Sequence, residues 1–329
     1  MATPPFFIVG GAGFIGSHTA SQLLAEGENV VIYDNFSSGH LWHLGPWQTA
    51  KNLTVERGDA KDLDQLSGAL RRSGAETVYH FASNPDIAKA MTDPLIDFWE
   101  GTYLTQNVVE AARRSGSVRR ILYASGSGVY GDVGETPVHE GLSPMHPTST
   151  YGASKLAGET LLSAYCHMYD LQARCFRFAN VVGPSQTHGV SYDFIRKLTC
   201  DPKRLQILGD GRQSKSYIHV EDVVRAMRLF DRSMTGKFDC FNVATEDYLT
   251  VNEIAGLAVE EMGLKDVVYD YTGGDRGWKG DIPIVRFNSE KIRSLGWKNR
   301  YTTKEAIRAS LRSTLEAVKS GRIPASLKQ

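Results

Sequence analysis

Cysteine is scarce in these 329 residues: four are scattered at Cys166, Cys175, Cys200 and Cys240, without C-x-x-C spacing. A disulfide framework and a zinc site are therefore excluded as organising principles, and reduced, mostly buried thiols are expected. No stretch of about 18 apolar residues is present, so no membrane-spanning helix is expected. Net charge is missing too, since 37 Lys and Arg balance 37 Asp and Glu; a general nucleic-acid binder carries a basic excess. Internal repeats and low-complexity tracts do not occur. The opening MATPPFFIVGG has no basic n-region and runs straight into glycine, unlike a secretory signal. A soluble, cytoplasmic protein is expected, without a metal, membrane or nucleic-acid partner.

The hydrophobic share of 41% and charged share of 22% suit a globular enzyme with a sizeable core. The length suggests about two domains, or one α/β domain with an appended lobe. Short apolar runs at Phe6–Val9, Val30–Tyr33, Leu53–Glu56, Val78–Phe81, Ile121–Ala124 and Arg174–Phe178 read as buried parallel strands. Segments with helical spacing lie between them, at Phe14–Ala25, Asp62–Arg72, Leu104–Arg114 and Thr150–Tyr169. Such alternation predicts an α/β fold with a Rossmann-type, doubly wound parallel sheet. After Asn180 the alternation ends. Capping-box spacing at Thr250–Glu253 and Thr302–Glu305 predicts helices over Val251–Met262 and Lys304–Lys319. The first domain is expected over 1–180, rejoined by about 217–245, with a smaller C-terminal lobe over 181–216 and 246–329. Residues Ile323–Gln329 are expected to fray.

Glycine, at 32 residues, is plentiful. The run Gly10-Gly11-Ala12-Gly13-Phe14-Ile15-Gly16 follows a predicted strand and opens a predicted helix. In that context glycines allow a tight turn and let backbone N–H groups approach a pyrophosphate. Asp34 closes the second strand about 20 residues on, where an acid accepts from ribose hydroxyls and repels a 2′-phosphate. The combination predicts a dinucleotide site that prefers NAD to NADP.

A second constellation is Tyr151-Gly152-Ala153-Ser154-Lys155. Four residues apart on a helix, the phenol and the ammonium share a face. A free tyrosine titrates near 10, too high for a base at neutral pH. A neighbouring ammonium and an oxidised nicotinamide are expected to lower it, so that the phenolate accepts a proton from a hydroxyl.

With these motifs the chain resembles the extended short-chain dehydrogenase/reductases, specifically the NAD-dependent sugar-nucleotide epimerases and dehydratases, and within them the UDP-glucose (UDP-galactose) 4-epimerases. Gly58-Asp59, with Ala60, resembles the family's adenine contact, and His80-Phe81-Ala82-Ser83 its loop near the cofactor, with His80 packed rather than catalytic. The resemblance adds Phe14, Ile15, Asn35, Ser38, Gly39 and Phe178 to the cofactor contacts. Arg177 to Pro184 resembles the substrate loop, with Asn180 on the diphosphate. His188 to Phe194 resembles the segment covering the base, with Val190 and Tyr192. Lys215 and Tyr217 precede the late strand-and-helix signature, and Arg276 to Asp281 resembles a diphosphate-gripping loop, in which Arg276 suits phosphate through its fork of donors. A homodimer through Leu104–Arg114 and Thr150–Tyr169 is implied as well.

Where the family carries a Ser or Thr that bonds the reacting hydroxyl, this chain has Gly126. Ser125 and Ser127 are the candidates to replace it. Lys215-Ser216 stands where relatives carry Arg-Asp, and Gly101 where Asn is common. The implied reaction oxidises a UDP-sugar at C4, with Tyr151 taking the hydroxyl proton and Lys155 holding the nicotinamide ribose, and returns hydride to the other face. A 4,6-dehydratase or uronate decarboxylase shares the first step, but dehydration needs a further acid or base. Relatives that dehydrate place it where this chain has Ser127 and Gly128. A ketosugar reductase would prefer NADPH, against Asp34. A silent NAD-binding scaffold would not need both Tyr151 and Lys155.

Overall fold

The computed structural model describes residues 3–324. The chain divides into two compact units, the first made of 1–129, 150–177 and 224–241, the second of 130–149, 178–223 and 242–329. In the first unit lies a seven-stranded parallel sheet. Its strands are β1 (Phe6–Val9), β2 (Val30–Asp34), β3 (Leu53–Arg57), β4 (Thr77–His80), β5 (Arg120–Gly126), β6 (Gln172–Phe178) and β7 (Phe238–Val243). Their spatial order is β7-β6-β5-β4-β1-β2-β3. Register is set by pairs such as Ile8 with Ile32 and with Tyr79. Because β1 has β2 on one side and β4 on the other, strand order reverses there, which opens a crevice at the carboxyl ends of both strands.

β1, β2 and β4 are buried at every position, as strands covered on both faces must be. β3 departs from the expectation of burial. As the edge strand it leaves Thr54, Val55 and Arg57 exposed.

Helices α1 (Phe14–Ala25), α2 (Leu63–Ser73), α3 (Leu104–Ser115) and α4 (Thr150–Tyr169) complete the βα pattern. Asp62 caps α2 by accepting from the Gln65 amide at 3.0 Å, and glycines in the left-handed region, Gly74 and Gly116, end α2 and α3. Leu66, Leu70, Val108 and Val109 pack with Val78 and Ile121 in one fully buried cluster. Each such side chain contributes about 1.5–3 kcal/mol. On α4, the buried positions Gly152, Lys155, Glu159, Leu162 and Cys166 recur at helical spacing. The face that the helix must bury thus includes an ammonium and a carboxylate.

In the second unit, the strand Asn180–Val182 pairs in parallel with Tyr217–His219, and Arg204–Ile207 with Val268–Tyr271. Helices Val190–Cys200, Val251–Glu261 and Thr303–Lys319 enclose a core that includes Phe194, Ile195, Ile254, Ile307 and Leu311. Both expected capping boxes form, at Thr250 with Glu253 and Thr302 with Glu305. Residues 130–149, expected within the first domain, belong here. Pro137–Val138 pairs with Arg286–Phe287, and Asn242 receives Tyr130 Oη at 2.7 Å while donating to the Val138 carbonyl at 2.9 Å. At the C-terminus Ile323 is buried, its N–H donating to the Ala317 carbonyl at 3.1 Å. The rest of the segment expected to fray, from 325 onward, lies outside the described residues. No helix among the described residues is long and apolar enough to cross a membrane.

Candidate active site

β1 delivers the chain into Gly10, whose φ of +78° and close approach to Ala82 both require glycine: a Cβ there would lie 2.6 Å from the Ala82 nitrogen. That approach is fixed because the Phe81 and Ala82 amides both donate to the Val9 carbonyl, at 2.9 and 3.1 Å. A Cβ on Gly16 would collide with the Gly10 carbonyl, so α1 lies tight against the loop. Gly13, the N-cap of α1, offers no side-chain cap, and the first turn, with Phe14 and Ile15, holds no acid. The uncapped amides are the donor set that a pyrophosphate needs.

Asp34 ends β2 buried, with one carboxylate oxygen on the Ala12 amide at 2.9 Å and the other on the Phe36 amide at 2.8 Å. Burial pushes its carboxyl up, and the two amides oppose that by stabilising the charge. Gly39 closes over this point, where a Cβ would come within 2.9 Å of Ala12 and 3.0 Å of an Asp34 oxygen. Asn35 turns the chain by accepting from the Ser37 amide, and Ser38 is exposed on that turn. Asp59 accepts from the Lys61 amide at 2.9 Å, and the buried Ala60 gives its carbonyl to Asn107. These residues fit the adenosine half of NAD, with a carboxylate where the 2′-phosphate of NADP would need a cation.

Tyr151 and Lys155 come together at the end of β5. The Lys155 ammonium is buried, donates to the Ala124 carbonyl at 2.9 Å, and lies 5.1 Å from the Tyr123 ring centre and 5.4 Å from that of Tyr151. Burial pulls its pKa down to about 8, against the nearby carboxylates of Asp97 and Glu159. Tyr151 shows the reverse of the lowering expected from its neighbour. Burial first, and then Asp97, push the phenol up to about 12, with the nearby Ser83 hydroxyl as the opposing influence. In the protein alone the pair is therefore phenol and ammonium. His80 is packed as expected, with Nε2 on Thr105 Oγ1 at 2.9 Å and its pKa pulled to about 3 by burial.

Ser125 already spends its proton on another group. Its hydroxyl is buried and donates to Glu159 at 2.6 Å, and Glu159 also receives Arg177 through two nitrogens. Ser127 opens a short 3-10 turn and is half-buried. Gly126 beside it is open: a Cβ there meets nothing within 4 Å. Gly101 has a steric reason, since a side chain would meet the Ser154 hydroxyl at 2.5 Å. Glu159 could have been found from its place four residues beyond Lys155 on one helix face. Asp97 and Asn84 carry no motif and were missed.

In the second unit four expected contacts or their partners interlock. Lys215 pairs with Asp281, Arg276 pairs with Asp132, and Arg276 also donates to the Asp281 carbonyl at 2.7 Å. Asn180 is exposed at the start of its strand. Val190 packs on the core at the start of its helix, while the Arg196 guanidinium lies 5.1 Å from the ring centre of Tyr192. Tyr217 and Phe178 are buried.

A glycine loop at the sheet's switch point, an acid closing β2 and a buried Tyr–Lys pair on α4 lie together in one dinucleotide-binding type of fold. Residues 6–244 match the model of the NAD dependent epimerase/dehydratase family. The UDP-glucose 4-epimerase of Mycolicibacterium smegmatis is 32% identical over 91% of this chain and 95% of its own. A solved UDP-galactose 4-epimerase superposes with a TM-score of 0.83 at 34% identity, covering 95% of this chain and 99% of that one. The Thermus thermophilus UDP-glucose 4-epimerase in complex with NAD gives 0.84 at 29% identity, covering 95% and 100%. The chain belongs to the NAD-dependent epimerase/dehydratase family, and its cofactor is NAD.

Purified protein is expected to release NAD, not NADP, when denatured. Gly16→Ala, which forces α1 off the loop, is expected to come out with little or none. Mainly NADP in the supernatant, or full loading of Gly16→Ala, would contradict the assignment of this loop and Asp34.

Proposed function

We propose that the protein inverts C4 of a UDP-sugar of the glucose/galactose type through a transient 4-keto sugar. The observation that carries this reading is the Tyr151–Lys155 pair at the end of β5 beside a Ser125–Gly128 segment without an acid. A 4,6-dehydratase needs an acid or base for C5 and C6, and this segment supplies none. Bound NAD supplies the hydride acceptor and donor for C4.

The residues of the chain handle the proton. Tyr151 takes it from the C4 hydroxyl and gives it back on return, so one group serves as base and acid. Lys155 is the cation that favours the phenolate, and it holds the cofactor's ribose. Ser127 replaces the hydroxyl missing at Gly126, because Ser125 is committed to Glu159. In the second unit, Arg276 and Lys215 bind the diphosphate, exchanging Asp132 and Asp281 for phosphate oxygens. Asn180, Val190, Tyr192, Tyr217 and Asp281 complete the grip on the nucleotide. The assembly we propose is a cytoplasmic homodimer through α3 and α4. It is supported by exposed Met168 and Tyr169 on α4 and by Phe98, Trp99 and Tyr103 just before α3.

Incubation with a panel of UDP-hexoses, read by NMR, is expected to yield the C4 epimer. Tyr151→Phe should lose about 10²–10⁴-fold in turnover while keeping NAD. A 4-keto-6-deoxy product, carbon dioxide release, or an active Tyr151→Phe would overturn the reading.

A separate pair of variants addresses the missing hydroxyl, since a well-placed donor at a reacting oxygen is worth about 10²-fold. Ser127→Ala is expected to slow epimerisation substantially, and Gly126→Ser to restore much of the rate in the double variant, since its Cβ has open space. A full-speed Ser127→Ala enzyme would remove Ser127 from the mechanism.

A further inference from the structure

One buried carboxylate beside the proton-transfer pair belongs to no motif. Asp97 precedes a single π-helical turn, Phe98–Tyr103, that leads into α3, and its side chain is sealed from solvent, the residue being 1% exposed. Both of its oxygens are engaged. One accepts from Asn84 Nδ2 at 2.9 Å, the other from Thr150 Oγ1 at 2.6 Å. Those donors stand at telling places in the chain. Asn84 directly follows Ser83, and Thr150 directly precedes Tyr151 as the first residue of α4. The Ser83 hydroxyl is near enough to the Tyr151 phenol to favour its ionised form. A single carboxylate thus ties the loop after β4 to the first turn of α4 on either side of the hydroxyl pair.

We propose that Asp97 is the positioning residue of the proton-transfer pair. It holds the Ser83 and Tyr151 hydroxyls in register and supplies the negative charge against which both Tyr151 and Lys155 titrate.

Other charges near the pair are few. On α4 itself, Lys155 lies beside the Tyr151 ring, and Glu159 lies one turn beyond, paired with Arg177 of β6. From β4, His80 is held neutral, and from β5 comes Tyr123, whose phenol burial keeps protonated. Asp97 is the acid that bears on both members of the pair and makes no ion pair among the described residues. It raises the phenol and supports the ammonium against the pull of burial. In the protein alone this charge opposes the phenolate while it helps hold the proton of the Lys155 ammonium.

The proposal rests on Tyr151 as the proton-transfer group, so its test uses titration without any sugar. The NAD-loaded protein is labelled with tyrosine carrying ¹³C at Cζ, and the Tyr151 signal is identified by its loss in Tyr151→Phe. Asp97→Asn keeps an acceptor for Thr150 but removes the charge. Its Tyr151 midpoint is expected to fall by about one pH unit or more. Thr150→Val keeps the charge but cuts the tie to α4. It should leave the midpoint within a few tenths of a unit, yet lower kcat about tenfold with little change in NAD content. A Tyr151 midpoint in Asp97→Asn equal to that of the native protein would overturn the electrostatic role, and native kcat in Thr150→Val would overturn the positioning role. If the sugar reaction proves to be something other than C4 epimerisation, the midpoint shift still stands, so the two failures are distinguishable.

Discussion

Keeping the Lys155 ammonium dry is the constraint around which the first unit is organised. A lysine without water loses much of its tendency to hold a proton, and here burial brings the pKa to about 8. The charge survives because its surroundings are built to accept it. The Ala124 carbonyl receives the ammonium, the Tyr123 and Tyr151 rings offer their faces, and Glu159 and Asp97 stand behind as counter-charges. Each of these depends on something further out. Glu159 is itself buried and is held by Ser125 and by Nε and Nη2 of the Arg177 guanidinium. Losing one partner of a buried pair of this kind costs about 3–5 kcal/mol, because the survivor is left without water or counter-charge. β5, α4 and β6 are therefore joined by charge as well as by packing.

The same constraint explains the apparent contradiction at Tyr151. The environment that seals in the ammonium also raises the phenol, so proximity to a cation does not by itself make a base. The protein supplies position and a reservoir of opposed charges. The added positive charge of a bound oxidised nicotinamide belongs to the cofactor, and the residues proposed to hold it, Gly10 to Gly16 and Asp34, lie in the same unit.

Much of the fold was legible because it rests on local pattern. Runs such as Phe6–Val9 and Val30–Asp34 must be buried on both faces, and Thr250 and Thr302 declare their helices through capping geometry. β3 misled because its composition does not reveal that it lies at the sheet edge. The division into units was harder to read, since residues 130–149 are placed by pairing with Arg286–Phe287, far along the chain. At the site, Tyr151, Lys155 and Asp34 announced themselves by spacing. Ser125 did not, because a hydroxyl beside a motif looks the same whether it is available or already donates to Glu159. Asp97 and Asn84 were invisible for a related reason: their role comes from where the loop after β4 meets α4, which no run of residues encodes.

The central claim is that hydride leaves C4 of the sugar and returns to the same carbon while Tyr151 handles the proton. It is tested most directly by supplying UDP-galactose or UDP-glucose deuterated at C4 and following the label in ordinary water. The account predicts that the epimer retains deuterium at C4, with no deuterium entering that position when unlabelled sugar is turned over in heavy water. Washout of the label to solvent would show that C4 is inverted by proton exchange and would contradict the account.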